Sequence, residues 1–208
     1  MPPKVKFSRQ VILDAAVQQV RQEGIDALTT REIAKRLGSS TRPIFTAFAS
    51  MEELKSAVSR EAREIYQSYL REGKQHPSPF LGMGIAYIRF AKTEPRLYSL
   101  LFLTGSGVND TSAFEEMQLL CDEATEGIME NYSLTRSEAE LYCRNMWLVA
   151  HSIACLVVSG DNPYGDEEIS KILTSFSLAN YKAIREIEGF AEGKYNPNSE
   201  FSKIKSKA

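Results

Sequence analysis

The sequence has little of the chemistry that catalytic and metal centres use. Histidine occurs only twice, at His76 and His151. Neither follows a glutamate by three residues, so the Glu-x-x-His signature of a di-iron helical site is absent. No G-x-S-x-G, no GxxxxGK(S/T) and no zinc-like Cys/His cluster occurs. The carboxylate pairs Glu52-Glu53 and Glu115-Glu116 sit on surface faces and read as solvating groups. These absences argue against an enzyme, and no metal or cofactor is expected.

Cysteine is scarce as well. Cys121, Cys143 and Cys155 are odd in number and widely spaced, with no CxxC. They read as reduced core residues of a cytoplasmic protein. The longest nearly apolar stretch, Leu148 to Val158, is broken by His151 and Ser152. It falls far short of the ~20 residues a spanning helix needs. The opening MPPKVKF carries charge with no apolar segment behind it, so neither a signal peptide nor a membrane is expected. Alternation of apolar and polar residues is missing too, as are Asn-Gly and Asp-Gly hairpin turns, which leaves no convincing strand.

What the chain does have is helical periodicity. Its 208 residues are 43% hydrophobic and 25% charged, the make-up of an ordinary globular protein with one substantial domain or two small ones. The pattern predicts nine helices, over residues 9–23, 30–37, 41–48, 51–72, 79–92, 95–103, 112–131, 136–159 and 167–190. Ser8 caps the first, and Gly24 stops it. Thr29 with Glu32, Ser50 with Glu53 and Thr135 with Glu138 have the spacing of capping boxes. Pro43 and Pro95 fall in first turns, where a missing N–H costs little. The fold class is all-α. Residues 1–50 are read as a head, 51–193 as a helical body and 194–208 as a flexible polar tail.

The net charge of -2 argues mildly against nucleic acid when the chain is taken whole. Divided, it says something else. Residues 1–48 hold 8 Lys/Arg against 4 Asp/Glu, residues 49–193 hold 13 against 22, and the tail holds 4 against 1. The basic excess thus belongs to the first three helices.

Within them, Thr30 to Phe48 has the outline of a helix-turn-helix: a short helix ending at Gly38, then a second starting at a hydroxylic cap. A plain helical hairpin has the same outline. If the second helix meets DNA, Ser39, Ser40 and Thr41 with the amides at its start would hold a phosphate. Thr30, read as a cap of the preceding helix, would do the same. Arg42 and Thr46 would face base edges if Ile44, Phe45 and Phe48 anchor the helix. Lys4, Lys6 and Arg9 form a basic arm able to reach the backbone or minor groove, or simply to sit in solvent.

The string from Ile12 to Val58 resembles the N-terminal domain of the TetR/AcrR family of transcriptional regulators. The matching positions are Ala15-Ala16, Gly24, Thr29/Thr30, Ile33-Ala34, Leu37-Gly38, Ser40, Phe48 and Glu53-Leu54. The resemblance implies a DNA-binding head with a ligand-binding, dimerising body, acting as a homodimer on a double-stranded, pseudo-palindromic operator, most members being repressors. Members usually carry Tyr, His and Lys at the positions of Phe45, Ala47 and Met51, where they tend to touch phosphates. Their loss here weakens the expected backbone binding, although Lys55, one turn after Met51, would partly substitute. A helical ligand-binding module with weakened or lost DNA binding is the alternative.

In the body, FAKTEPRLYSLLF (Phe90 to Phe102) with Trp147 and His151 is similar to a subgroup of that family marked by Trp-x-x-x-His-Gly, with Ser152 in place of the glycine. Trp147 and His151 share one helical face. The pocket candidates are Tyr66, Tyr87, Phe90, Tyr98, Phe102, Met117, Cys121, Trp147 and His151, suited to a small apolar or aromatic effector. Each also reads as core packing. The last two helices are long and carry wide apolar faces, with Ile169, Ile172, Leu173, Phe176, Ala179, Ala183, Ile184 and Ile187 at helical spacing, and two such helices from each protomer would form a four-helix interface. These faces are the candidate dimer interface, unless they cover only the protomer's own core.

Overall fold

The computed structural model describes residues 7–103 and 112–206, and among these there are ten α-helices, a 3-10 turn and no strand. The helices are α1 (Arg9–Glu23), α2 (Thr30–Arg36), α3 (Arg42–Ala47), α4 (Met51–Gly73), α5 (Pro79–Thr93), α6 (Pro95–Phe102), α7 (Ala113–Tyr132), α8 (Arg136–Ser159), α9 (Asp166–Glu186) and α10 (Pro197–Ser206). The all-α expectation holds.

Start signals act largely as the sequence predicts. Ser8 Oγ accepts from the Val11 amide, and Thr135 with Glu138 closes a reciprocal box. A further box forms at Ser112 and Glu115. The other two predicted boxes are only half made. Thr29 and Ser50 accept from the Glu32 and Glu53 amides. Glu32, however, leans toward Lys35 at 3.7 Å. Glu53 takes the Ala49 amide (2.6 Å) and the Arg9 guanidinium (2.9 Å). A nearby donor one residue upstream and a cation on α1 outcompete the cap's own amide.

The head's core is Ile12, Ala16 and Val20 of α1 against Ile33 of α2, Ile44 of α3, Phe48, and Leu54 and Val58 of α4. Further along α4, Ala62, Tyr66 and Leu70 enter the body's core, so one continuous helix serves both parts. In the body α8 packs against α5, α7 and α9. By length and composition alone α8 is apolar enough to cross a membrane, with a mean hydropathy of 1.4 over 18 residues. Its inner face, including Ala139, Tyr142, Cys143 and Ala154, is filled by protein, as in a core helix.

Two boundaries differ from expectation. α9 ends at Glu186, because Ile187 is extended (φ -107°, ψ 108°) and Gly189 follows at φ +73°. The tail, read as flexible, contains α10, which buries none of its residues.

Candidate functional site

The head's candidate DNA-facing surface is built around Gly38. At φ +58° it lets its own amide reach Lys35 O (3.1 Å) and the Ser39 amide reach Ala34 O (2.9 Å), which closes α2 with a Schellman motif. The chain then turns into α3. Ile44 and Phe48 are each 1% exposed and anchor α3, while Arg42, Phe45 and Thr46 point outward. Arg42 and Thr46 therefore stand where the sequence placed them. Phe45, read both as an anchor of the helix and as a DNA-contact candidate at a phosphate-touching position, is 55% exposed on the outer face, which overturns only the anchor role. Two anchors suffice for so short a helix.

Thr29 caps α2 as its spacing with Glu32 predicts, so Thr30, also read as a cap, is instead the first helical residue, half-buried. Thr41, not Ser40, is the N-cap of α3, with no side-chain bond to a helix amide. Ser40 is exposed, and Ser39 and Thr41 half-buried, beside that start.

Arg9 is withdrawn from the proposed arm. Its guanidinium binds Glu53 and lies 4.1 Å over the Phe48 ring, which ties α1 to α4. The Ala49 amide and, after it, Arg9 hold the Glu53 carboxyl below the usual carboxylate range. Lys4 and Lys6 lie outside the described residues. Lys55 is half-buried on α4. The sequence reading passed over Arg31, exposed at the start of α2 next to Thr30. A basic residue in the first turn of the first helix of the pair was the available signal.

In the body the predicted aromatics come together. Tyr66, Tyr87, Phe90, Tyr98 and Phe102 form a cluster of edge and tilted contacts with centroids 4.9–6.3 Å apart. Trp147 and His151 join it, stacked at 4.5 Å with planes 10° apart. His151 Nδ1 lies 2.9 Å from both the Tyr87 and Tyr98 hydroxyls, which are 3.2 Å from each other. Its Nε2 lies 3.6 Å from Cys155 Sγ. A neutral imidazole that accepts at Nδ1 and donates from Nε2 satisfies this arrangement. Burial lowers the His151 pKa and so favours that neutral form, and it raises the phenol pKa values of Tyr66, Tyr87 and Tyr98.

The cavity next to this cluster has a volume of about 40 Å³ and is lined by Phe80, Leu81, Met83, Gly84, Tyr87, Leu120, Met146, Trp147, Ala150, Leu173 and Ser177. Of the nine predicted pocket residues, only Tyr87 and Trp147 reach it. Tyr66, Phe90, Tyr98 and Phe102 are packed in the core behind it, and His151 touches it only through Trp147 and Tyr87. Met117 and Cys121 line a separate surface groove with Glu140 and Arg144. The sequence could not reveal which side of each helix bounded empty space. A second groove, about 260 Å³, shares Phe80 and Met83 with the cavity as a common wall.

The candidate dimer residues divide. Ile169 (4%), Leu173 (1%) and Ile184 (5% exposed) are buried in the protomer's own core and are corrected to packing. Ile172, Ala183 and Ile187 are half-buried, while Phe176 and Ala179 are exposed. On α8, the other helix of the expected interface, Leu148 and Leu156 are exposed, two residues that the sequence did not single out.

Residues 12–58, the whole of the head from α1 into α4, match the family model described as bacterial regulatory proteins, tetR family. Over 170 residues the chain is 25% identical to an uncharacterized HTH-type transcriptional regulator of Mycobacterium tuberculosis, covering 74% of this chain and 72% of that protein. Three solved structures share the whole fold. A protein of unknown function from Rhodococcus sp. RHA1 aligns with a TM-score of 0.67 at 19% identity, over 88% of this chain and 98% of its own. A member of the TetR family from Streptomyces coelicolor A3 aligns at 0.52 and 20%, over 84% and 98%. The multidrug binding protein EbrR, complexed with malachite green, aligns at 0.56 and 21%, also over 84% and 98%.

Proposed function

We propose that this chain is a tetR-family transcriptional regulator, a cytoplasmic repressor that binds a pseudo-palindromic operator as a homodimer. A small molecule in the body releases it. One observation carries the reading: α3 is anchored by Ile44 and Phe48 and turns Arg42, Phe45 and Thr46 outward, on the segment that matches the tetR model. Phosphate contacts come from Ser39, Ser40, Thr41, Thr30 and Lys55, with Arg31 added. Arg42 reads a base edge.

The effector reading is supported by the apolar cavity and by the small-molecule complex of the similar fold in EbrR. The stacked Trp147 and His151 support placement in the Trp-x-x-x-His-Gly subgroup. The effector biases two arrangements of the dimer by binding one more tightly.

The test is selection from a random duplex pool at two salt concentrations. A palindromic motif whose affinity falls steeply with salt is expected. Arg42→Ala then relaxes specificity at one base position. No enrichment at low salt would instead favour a ligand-binding module that has lost its DNA, a reading motivated by Phe45, Ala47 and Met51.

A further inference from the structure

Building on the effector reading above, we propose that the molecule this body takes is an uncharged, ring-bearing compound whose oxygen acceptor docks on the Trp147 indole N–H. Three observations converge on that chemistry.

The first is the missing partner of Trp147. The residue is 7% exposed and forms part of the cavity wall, and its Nε1 has no acceptor among the described residues. The cavity's other polar side chains are matched. The Tyr87 hydroxyl bonds Tyr98 and His151, and Ser177 bonds the Tyr142 hydroxyl. A buried donor left alone is costly, and a ligand carbonyl or ether oxygen removes that cost.

The second is charge. No side chain that is charged at neutral pH lines the cavity, since burial keeps the Tyr87 phenol protonated. Lys74 and Glu123, the charges bordering the adjoining groove, pair with each other. A buried cation would find no free carboxylate there, and burying an unpaired charge is strongly unfavourable.

The third is shape. Phe80, Tyr87 and Trp147 give flat walls and Met83 and Met146 adaptable ones, which suits a ring. The present void of about 40 Å³ is smaller than such a ring. Phe80 and Met83 are the wall it shares with the groove of about 260 Å³ behind them, so their rotation would join the two into a space near the ~300 Å³ at which small-molecule pockets begin.

Calorimetric titration of the full chain with 1-indanone, indane and malachite green tests the proposal. The first two differ by one carbonyl; the third is an aromatic cation. Indanone is expected to bind about tenfold tighter than indane, the effect of one hydrogen bond to a buried donor. Trp147→Phe brings the indanone-to-indane affinity ratio to about one, the ratio being read because the wall lost with the indole affects both probes alike. Equal affinity for the two, a preference that survives Trp147→Phe, tighter binding of malachite green, or no binding of any probe each overturns it.

A cavity-filling Ala150→Phe separates this claim from the one it rests on. If it abolishes probe binding while indanone and indane bind equally to the parent, the pocket stands and the acceptor claim falls. Probe binding unchanged in Ala150→Phe removes the pocket itself. Gly84→Ala, whose added Cβ has ordinary room 3.4 Å from Leu173, gives the same loss in smaller measure with less risk to folding.

Discussion

Arg21 of α1 and Glu94 at the α5–α6 corner, 73 residues apart in sequence, meet in a two-pronged ion pair, with Nε to Oε2 at 2.9 Å and Nη2 to Oε1 at 2.8 Å. Their side chains are 30% and 14% exposed, so the pair is shielded enough to act as a clasp between head and body. If the corner moves when an effector binds, this pair would carry the movement to α1. Glu94→Gln is expected to cost about 1–2 kcal/mol in urea denaturation, because Arg21 loses a charge-assisted partner. It should also blunt effector-driven DNA release while leaving effector affinity unchanged. A double-mutant cycle with Arg21→Gln reads the coupling directly, and a coupling near zero would remove the clasp.

A tighter contact fixes α4 against α5. A Cβ added at Gly82 would lie 2.1 Å from Gly73 O and 2.4 Å from His76 Cβ, and one at Gly73 would lie 2.6 Å from Gly82 O. The obstacle is largely backbone, which has no rotamer to yield. Gly82→Ala should therefore destabilise by about 1–3 kcal/mol or more, as overpacking does. Gly127→Ala, in α7 with nothing within 4 Å of its added Cβ, should instead stabilise by up to about 1 kcal/mol through helix propensity. Thermal melts of the two variants should move in opposite directions.

The helices were legible in the sequence because caps and stops are local. Ser8, Thr29, Ser50, Thr135, Gly24 and Gly38 act within a few residues of where they stand. The outward placement of Arg42 and Thr46 was legible for the same reason, but that of Phe45 was not, because its exposure depends on how α3 is rotated. The cavity was not legible. Tyr66 and Tyr87 are both buried aromatics on long helices, yet only Tyr87 borders the void. That distinction is set by packing between distant segments. Arg9 was misjudged for a related reason, since its partners Glu53 and Phe48 come from elements that follow α1.

His151 gives stability a pH dependence of known sign. Burial lowers its pKa below 6.5 in the folded chain, while the unfolded chain keeps the ordinary value. Stability is therefore full above about pH 6.5 and falls as pH drops toward the folded value, since the unfolded state takes up a proton the native state resists. Because His151 is only half-buried, the slope stays below about 1.4 kcal/mol per pH unit. His151→Gln should flatten the melting temperature between pH 5 and 7. Glu52, Glu53 and Glu115, whose carboxyls are held below 4.5 by hydrogen bonds, lose their contribution only at lower pH, so the windows separate. An unchanged slope in the variant would dismiss His151 as its source.

α8 and α9 lie side by side, linked by Asn145 Nδ2 to Asn180 Oδ1 at 3.0 Å, and carry the apolar surface that a homodimer would use. Leu148 and Leu156 are 49% and 40% exposed on α8, and Phe176 is 53% exposed on α9. Two such helices from each protomer would make a four-helix seam in the proposed homodimer. Phe176→Glu would bury two carboxylates about the symmetry axis without partners, so it should yield a folded monomer in sedimentation velocity at micromolar concentration. DNA affinity should collapse with it, because one head then grips one half-site. Leu178→Glu is the internal comparison: two residues on, about 200° around the helix and 65% exposed, it should leave the dimer intact. If Phe176→Glu sediments as the parent does, or Leu178→Glu is the variant that dissociates, the seam lies on another face of α9.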